Sequence, residues 1–248
     1  MLVCAAVCAA EGGLRRLGDL DSSGRQLAPP THMTIEEAGR SALLAAEGLW
    51  AKGLRDGPRA TPEDLQAIAA LIAGGLDRQI RPYQPGQYPW CGAFFAWCWA
   101  QVFLKRAIRH SWTASTYRLF RLFSGQSLGI EGRDLANPKP DEGRRLWQVI
   151  HERTRPTDLL FRPLPGMLLL VGRGHPIYGT HVTMIREWDE PNWRFRTVAG
   201  NGHGEIPGGA SGPEWGVVHA DFPLGPTLAG RYRACAIGMP ALGDLEPP

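Results

Sequence analysis

No apolar run in this 248-residue chain approaches the ~20 residues needed to cross a bilayer, so no transmembrane helix is expected. A basic stripe is missing too. The 27 basic and 24 acidic residues leave a net charge of only +3, with the basic residues scattered as singles and pairs, which argues against nucleic acid as the main partner. That mild positive balance suits an anionic polymer. Cysteine is sparse: there are five, and two of them, Cys4 and Cys8, lie in the opening segment, an odd set that does not make a disulfide scaffold. A reduced compartment at synthesis is the default expectation. The opening "MLVCAAVCAAEGG" has an apolar stretch and small residues but lacks the positive start of a secretory leader. Neither "HExxH" nor paired-cysteine spacing occurs, so no zinc site and no cofactor is implied. There is no internal repeat.

What remains is a chain that is 44% hydrophobic and long enough to bury a core. Residues 1–32 mix Gly, Ser, Pro and charge without periodicity and read as a flexible tail or linker; residues 33–240 read as one folded domain and 241–248 as a solvated tail. Thr34 and Glu37 have capping-box spacing ahead of an apolar stripe through Ala38, Leu43, Ala46 and Leu49, which predicts a first helix. Thr61-Pro62-Glu63-Asp64 starts a second, with Leu65, Ile68, Ala69 and Ile72 on one face and Gly74-Gly75 as its expected stop. Shorter helices are expected at "TASTYRLFRLF" and around "PDEGRRLWQVIHERT", within a helical insert at about 107–162. From Pro163 the texture changes to short strands, "GMLLLVG", "HVTMIREW", "WRFRTVAG", "EWGVVHA" and "YRACAIGM", separated by turn residues. Helices first and strands afterwards predict an α+β domain with an antiparallel sheet.

The segment "QYPWCGAFFAWCWAQ" has helical spacing from Trp90 onwards and is apolar nearly all round, so this helix belongs inside the protein. Cys98 falls with Phe95 and Val102 and reads as core. Cys91 differs in position. Pro89 disfavours helical geometry just before it, so Cys91 sits in the first turn, where unpaired N–H groups and the positive end of the helix dipole favour a thiolate. Gly92 lets a substrate or another backbone approach, and the same N–H groups could hold an oxyanion.

A thiol nucleophile needs a base. His32, His110 and His151 lie in a linker or on polar helical stretches and read as surface residues; His175 sits in the Gly- and Pro-rich "GRGHPIYG"; His219 ends a strand candidate with no polar companion. His181 and His203 remain. His181 opens "HVTMIREW", "WDEPN" makes a turn, and "WRFRTVAGN" returns. In such a hairpin His181 faces residue 199 or 200, give or take one, which sets Asn201 beside it. An asparagine oxygen there could accept the imidazole N–H and fix the tautomer; equally, Asn201 could serve only the turn in "GNGHG".

In order and spacing, "YPWCGAFFAWCWAQ", "PLPGMLLLV", "GTHVTMIREW" and "FRTVAGNGHG" resemble the motifs of the CHAP and NlpC/P60 cysteine peptidases over about residues 62–237. The resemblance implies a papain-like fold with N-terminal helices, a catalytic-cysteine helix and a C-terminal antiparallel sheet. It implies Cys91 as nucleophile, His181 as general base and Asn201 as the orienting third member, with Trp90, Gly92 and His203 on the substrate or oxyanion side. It further implies a peptidoglycan or muropeptide substrate, cut at the sugar-to-alanine amide or within the stem peptide. Two departures stand out: Met167 replaces the usual aspartate after the glycine, and the 107–162 segment is long.

Two other readings compete with an amide hydrolase. One is a catalytically silent cell-wall-binding or scaffold domain of the same fold; the other is a metal hydrolase built on His175, His181 and His203. If the substrate is cell wall, its site of action is the periplasm, the envelope or a target cell's wall, and delivery by a lysis programme or a contact-dependent system would bring a secretion or immunity partner.

Overall fold

A computed structural model of the chain describes residues 34–76, 83–85, 89–103, 116, 119, 146–173, 180–208, 214–225 and 232–240. The expected tails at 1–32 and 241–248, His32, His110, His175 and most of the "TASTYRLFRLF" candidate lie outside the described residues; of that candidate, Thr116 and Leu119 are described and both are helical. Three helices, α1 (Ile35–Ala51), α2 (Pro62–Leu76) and α3 (Cys91–Phe103), precede six strands: β1 (Leu146–Val149), β2 (Leu168–Gly172), β3 (His181–Asp189), β4 (Arg194–Gly204), β5 (Glu214–Pro223) and β6 (Arg233–Met239). The architecture is α+β. The strands form one sheet in the order β1-β6-β2-β3-β4-β5, with every neighbouring pair antiparallel. Among the described residues no helix is long and apolar enough to cross a membrane.

The helix starts follow their local chemistry. The Thr34 hydroxyl accepts from the Glu37 backbone N–H while the Glu37 carboxylate accepts from the Thr34 N–H, a complete capping box. Thr61 and Asp64 exchange the same two bonds at the head of α2, with Pro62 as its first residue. The expected stop at Gly74-Gly75 is not observed, because α2 runs through both to Leu76. A β-carbon at Gly75 would overlap the Ala93 carbonyl, and one at Gly74 would come within 2.9 Å of the Trp97 ring. These glycines serve close packing of α2 on α3, at the helical cost glycine carries.

The helix expected around "PDEGRRLWQVIHERT" is also corrected, and with it the helical character of that part of the 107–162 insert. Leu146–Val149 is strand β1, paired with β6 from Leu146↔Met239 to Val149↔Ala236. Trp147 and Val149 are buried, and buried Gln148 donates to the Asp158 carbonyl at 2.8 Å and accepts from the Leu160 N–H at 2.8 Å. Pairing and burial from distant residues override the local period. A short 3-10 turn follows at Pro156–Asp158.

α3 is the central helix, lying between α1 and α2 and against β3 and β4. Its Trp90-to-Val102 stretch supplies much of the core, with Trp90, Phe94, Phe95, Cys98 and Trp99 fully buried. Met167, the departure in "PLPGM", is fully buried, and the Leu164 N–H approaches its thioether sulfur at 3.3 Å, so the turn before β2 retains an acceptor without a carboxylate.

Candidate functional site

The site begins at the head of α3. The Trp90 carbonyl accepts the first helical hydrogen bond, from Phe94 N–H at 2.8 Å, which leaves Cys91 as the first residue of the helix. Trp90 was expected on the substrate side; it is instead completely buried, and its indole N–H donates to Asp56 Oδ2 at 2.7 Å. The Tyr83 hydroxyl donates to the same oxygen at 2.9 Å. Asp56 escaped sequence reasoning. Its carboxylate reaches this place because residues 54–56 lie along the first half of β5: Asp56 N–H donates to the Trp215 carbonyl at 2.7 Å and Val217 N–H to the Leu54 carbonyl at 3.0 Å. Gly216 permits that approach, since a β-carbon there would overlap the Leu54 carbonyl.

The Cys91 thiol is 3% exposed. Burial pushes its pKa up, and nearby backbone N–H groups, that of Val182 foremost, favour the thiolate but offset only part of that rise. The expected lowering by the helix start is thus corrected: desolvation outweighs the local N–H groups, and the resting group is the neutral thiol. Gly92 is buried beside it and contributes through its N–H. Cys98, further along the helix, is pushed up further still by burial. Cys91, Cys98 and Cys235 are all free thiols.

β3 packs against α3, and His181 is its first residue. The ladder pairs Met184 with Val198 and Ile185 with Thr197, a register one residue beyond the expected one, and these pairs stop short of His181. A bulge at Arg186 and a 3-10 turn at Glu190–Asn192 account for the offset. Asn201 adopts a left-handed φ of 56° inside strand β4, where the β4–β5 register shifts between Ala199 and Gly202, so the turn expected in "GNGHG" is instead a bulge within a continuous strand. Among the described residues no hydrogen bond joins the His181 ring to Cys91 or to Asn201. Gly200, just before it, lies directly on α3: a β-carbon there would overlap the Trp90 ring and stand 2.6 Å from Phe94 Cβ. The "GN" pair is therefore a contact glycine followed by a left-handed asparagine.

The partly buried His181 ring has its pKa lowered by desolvation to about 4. A histidine that resists protonation in the fold destabilises it in acid. The contribution is absent above the unfolded value near ~6.5 and grows as pH falls toward 4, reaching roughly 3 kcal/mol at about 1.4 kcal/mol per unit, less wherever solvent reaches the ring. The urea midpoint of the wild type is expected to fall more steeply between pH 6.5 and 4 than that of His181→Gln; equal slopes would show that the ring is not desolvated.

His203 is exposed on β4 opposite Trp215, their ring centroids 5.2 Å apart, and Trp215 is itself 49% exposed, so the two form an aromatic ledge at the end of the sheet where His181 starts. His219 does have polar companions. One ring nitrogen lies 3.0 Å from Glu47 Oε2, Arg186 Nε donates to Glu47 Oε1, and Trp50 stacks on the imidazole at 3.8 Å. Burial works to raise the Glu47 pKa, but hydrogen bonds from His219 and Arg186 outweigh it and hold the carboxyl below its usual value. This cluster fastens α1 to β3 and β5. Among the described residues no three His, Cys, Asp or Glu side chains converge as a metal site.

At its core the arrangement is a buried neutral thiol at a helix start and a neutral imidazole at the start of a strand that packs against that helix. No family model, no curated protein and no solved structure matches this chain.

Proposed function

We propose that this chain is a cysteine-dependent amide hydrolase of the papain-like, CHAP and NlpC/P60 kind, acting on bacterial peptidoglycan stem peptides as an amidase or endopeptidase. One observation carries the reading: Cys91 is the first residue of α3, and β3, which His181 opens, packs against that helix. Both groups are neutral at rest, so the proton moves during attack rather than before it. His181 takes the thiol proton as the Sγ–carbon bond forms, and N–H groups at the head of α3 receive the oxyanion. The C–N bond then breaks, and His181 returns the proton to the leaving amine. A water, deprotonated by the same ring, splits the thioester and restores the thiol. Asn201 holds the second ring nitrogen once substrate closes the site, since catalytic hydrogen bonds are often loose in unliganded enzymes. His203 and Trp215 offer the substrate an exposed aromatic surface.

A second reading, the catalytically silent wall-binding domain, is favoured by the 3% exposure of the thiol and the unengaged His181 ring. Incubation of the purified protein with isolated sacculi separates the two. New amine and carboxyl termini identified by mass spectrometry, produced in EDTA and stopped by iodoacetamide, are the expected result. Binding to sacculi without new termini would leave the silent domain in its place, and neither binding nor release would remove the cell-wall substrate altogether.

A further inference from the structure

Asp56 is a carboxylate that the reaction above does not use, and it is only 3% exposed. Taking a charged carboxylate out of water is costly unless donors satisfy it, and here two buried donors converge on a single oxygen: the Trp90 indole N–H at 2.7 Å and the Tyr83 hydroxyl at 2.9 Å. The carboxylate is itself anchored to the sheet, because its own N–H is bonded to the Trp215 carbonyl and its neighbour Arg55 bridges to Gly216. The Trp90 ring in turn is wedged edge-on against Phe94, centroids 6.3 Å apart, and against Gly200, where no β-carbon fits. A helix start is the part of a helix with the fewest internal bonds, and tryptophan has no side-chain oxygen with which to cap it. The restraint at this start comes from outside the helix.

We propose that Asp56 is a positioning residue for Cys91: through the Trp90 indole N–H it holds the first turn of α3, and with it the thiol, in its buried place. The proposal rests on reading Cys91 as the nucleophile. Alkylation reports on the thiol whether or not any amide is hydrolysed, so its failure is distinguishable from failure of the sacculus experiment.

The test uses the full chain with Asp56→Ala, which removes the acceptor, and, separately, Trp90→Phe, which removes the donor and keeps the carboxylate. Iodoacetamide alkylation of Cys91 and Cys98 is followed peptide by peptide across pH by mass spectrometry. Cys98 lies on the same helix and is fully buried, so it reports general loosening. With the tie cut, Cys91 gains solvent and its alkylation midpoint drops toward that of an ordinary thiol; a drop of one unit reads as a roughly tenfold faster reaction at pH 7. Both variants are expected to show this with Cys98 unreacted, and the double variant is expected to go no further than either. An unchanged Cys91 profile in a folded variant, or Cys91 and Cys98 becoming reactive together, would overturn the proposal. If Asp56→Ala does not fold, Trp90→Phe decides the matter alone.

Discussion

Cys91→Ala is expected to lower release of new termini from sacculi by at least about a thousandfold while leaving the fold in place. The activity loss follows from the mechanism: without sulfur no thioester forms, and what remains is binding plus the backbone N–H groups. The fold survives because the change exchanges one buried sulfur for a hydrogen in a helix held by Trp90, Phe94, Phe95 and Trp99, a small void worth about 1 kcal/mol. His181→Ala should fall to a similar level, and the double variant should be no worse than either, since nucleophile and base act as a unit. Thermal unfolding of each variant alongside the sacculus assay separates lost chemistry from lost structure. A fully active, folded Cys91→Ala would end the thiol mechanism.

Gly166→Ala is expected to cost the most stability of any single methyl addition considered, about 2–5 kcal/mol. Two costs combine. Gly166 has φ +85°, where a side chain costs roughly 1–2 kcal/mol. Its β-carbon would also overlap the Gly39 backbone of α1, and the reverse holds for Gly39 against the Pro165 carbonyl, so the methyl can be admitted only by lifting α1, which adds roughly 1–3 kcal/mol. The same turn is tied on both sides, by Gly166 N–H to the Ile185 carbonyl at 2.8 Å and by the Trp99 indole N–H to the Gly166 carbonyl at 3.1 Å, so it cannot simply swing away. Gly208→Ala is the internal control. It has a similar φ of +67° but nothing within 4 Å of the added carbon, so it should lose only the conformational part. Urea unfolding of both variants measures the difference; equal losses would mean that the α1 contact yields without cost.

The parts of this molecule that were legible in its sequence are those decided by near neighbours. Thr34 with Glu37, Thr61 with Pro62 and Asp64, and Pro89 before Cys91 each announce a helix start through bonds or exclusions spanning three residues or fewer. Alternation and turn residues carried the five C-terminal strands. The misreadings involve partners far along the chain. Leu146–Val149 looks helical until Met239 and Ala236 pair with it. Gly74 and Gly75 look like a stop until Ala93 and Trp97 pack on them. His219 looks solitary because Glu47 and Trp50 lie some 170 residues earlier. The sign of the Cys91 shift was misjudged for the same reason: the helix start is local and visible, whereas the burial that outweighs it is collective. Asp56 left no signal, since nothing around "GLRDGP" indicates that its carboxylate meets an indole 34 residues away.

The short bridge of residues 54–56 onto β5 also bears on how the protein behaves among its own copies. β5 is an outer strand, and an outer strand with free N–H and C=O groups is a template for another chain. Here the carbonyl of Trp215 and the N–H of Val217 are already engaged by Asp56 and Leu54, so that half of the rim offers no ladder to a newcomer. The opposite rim, β1, is only four residues long, too short to seed extended pairing. Solutions of the folded protein should therefore resist strand-to-strand polymerisation, and conditions that peel residues 54–56 from β5 should be those that first provoke it.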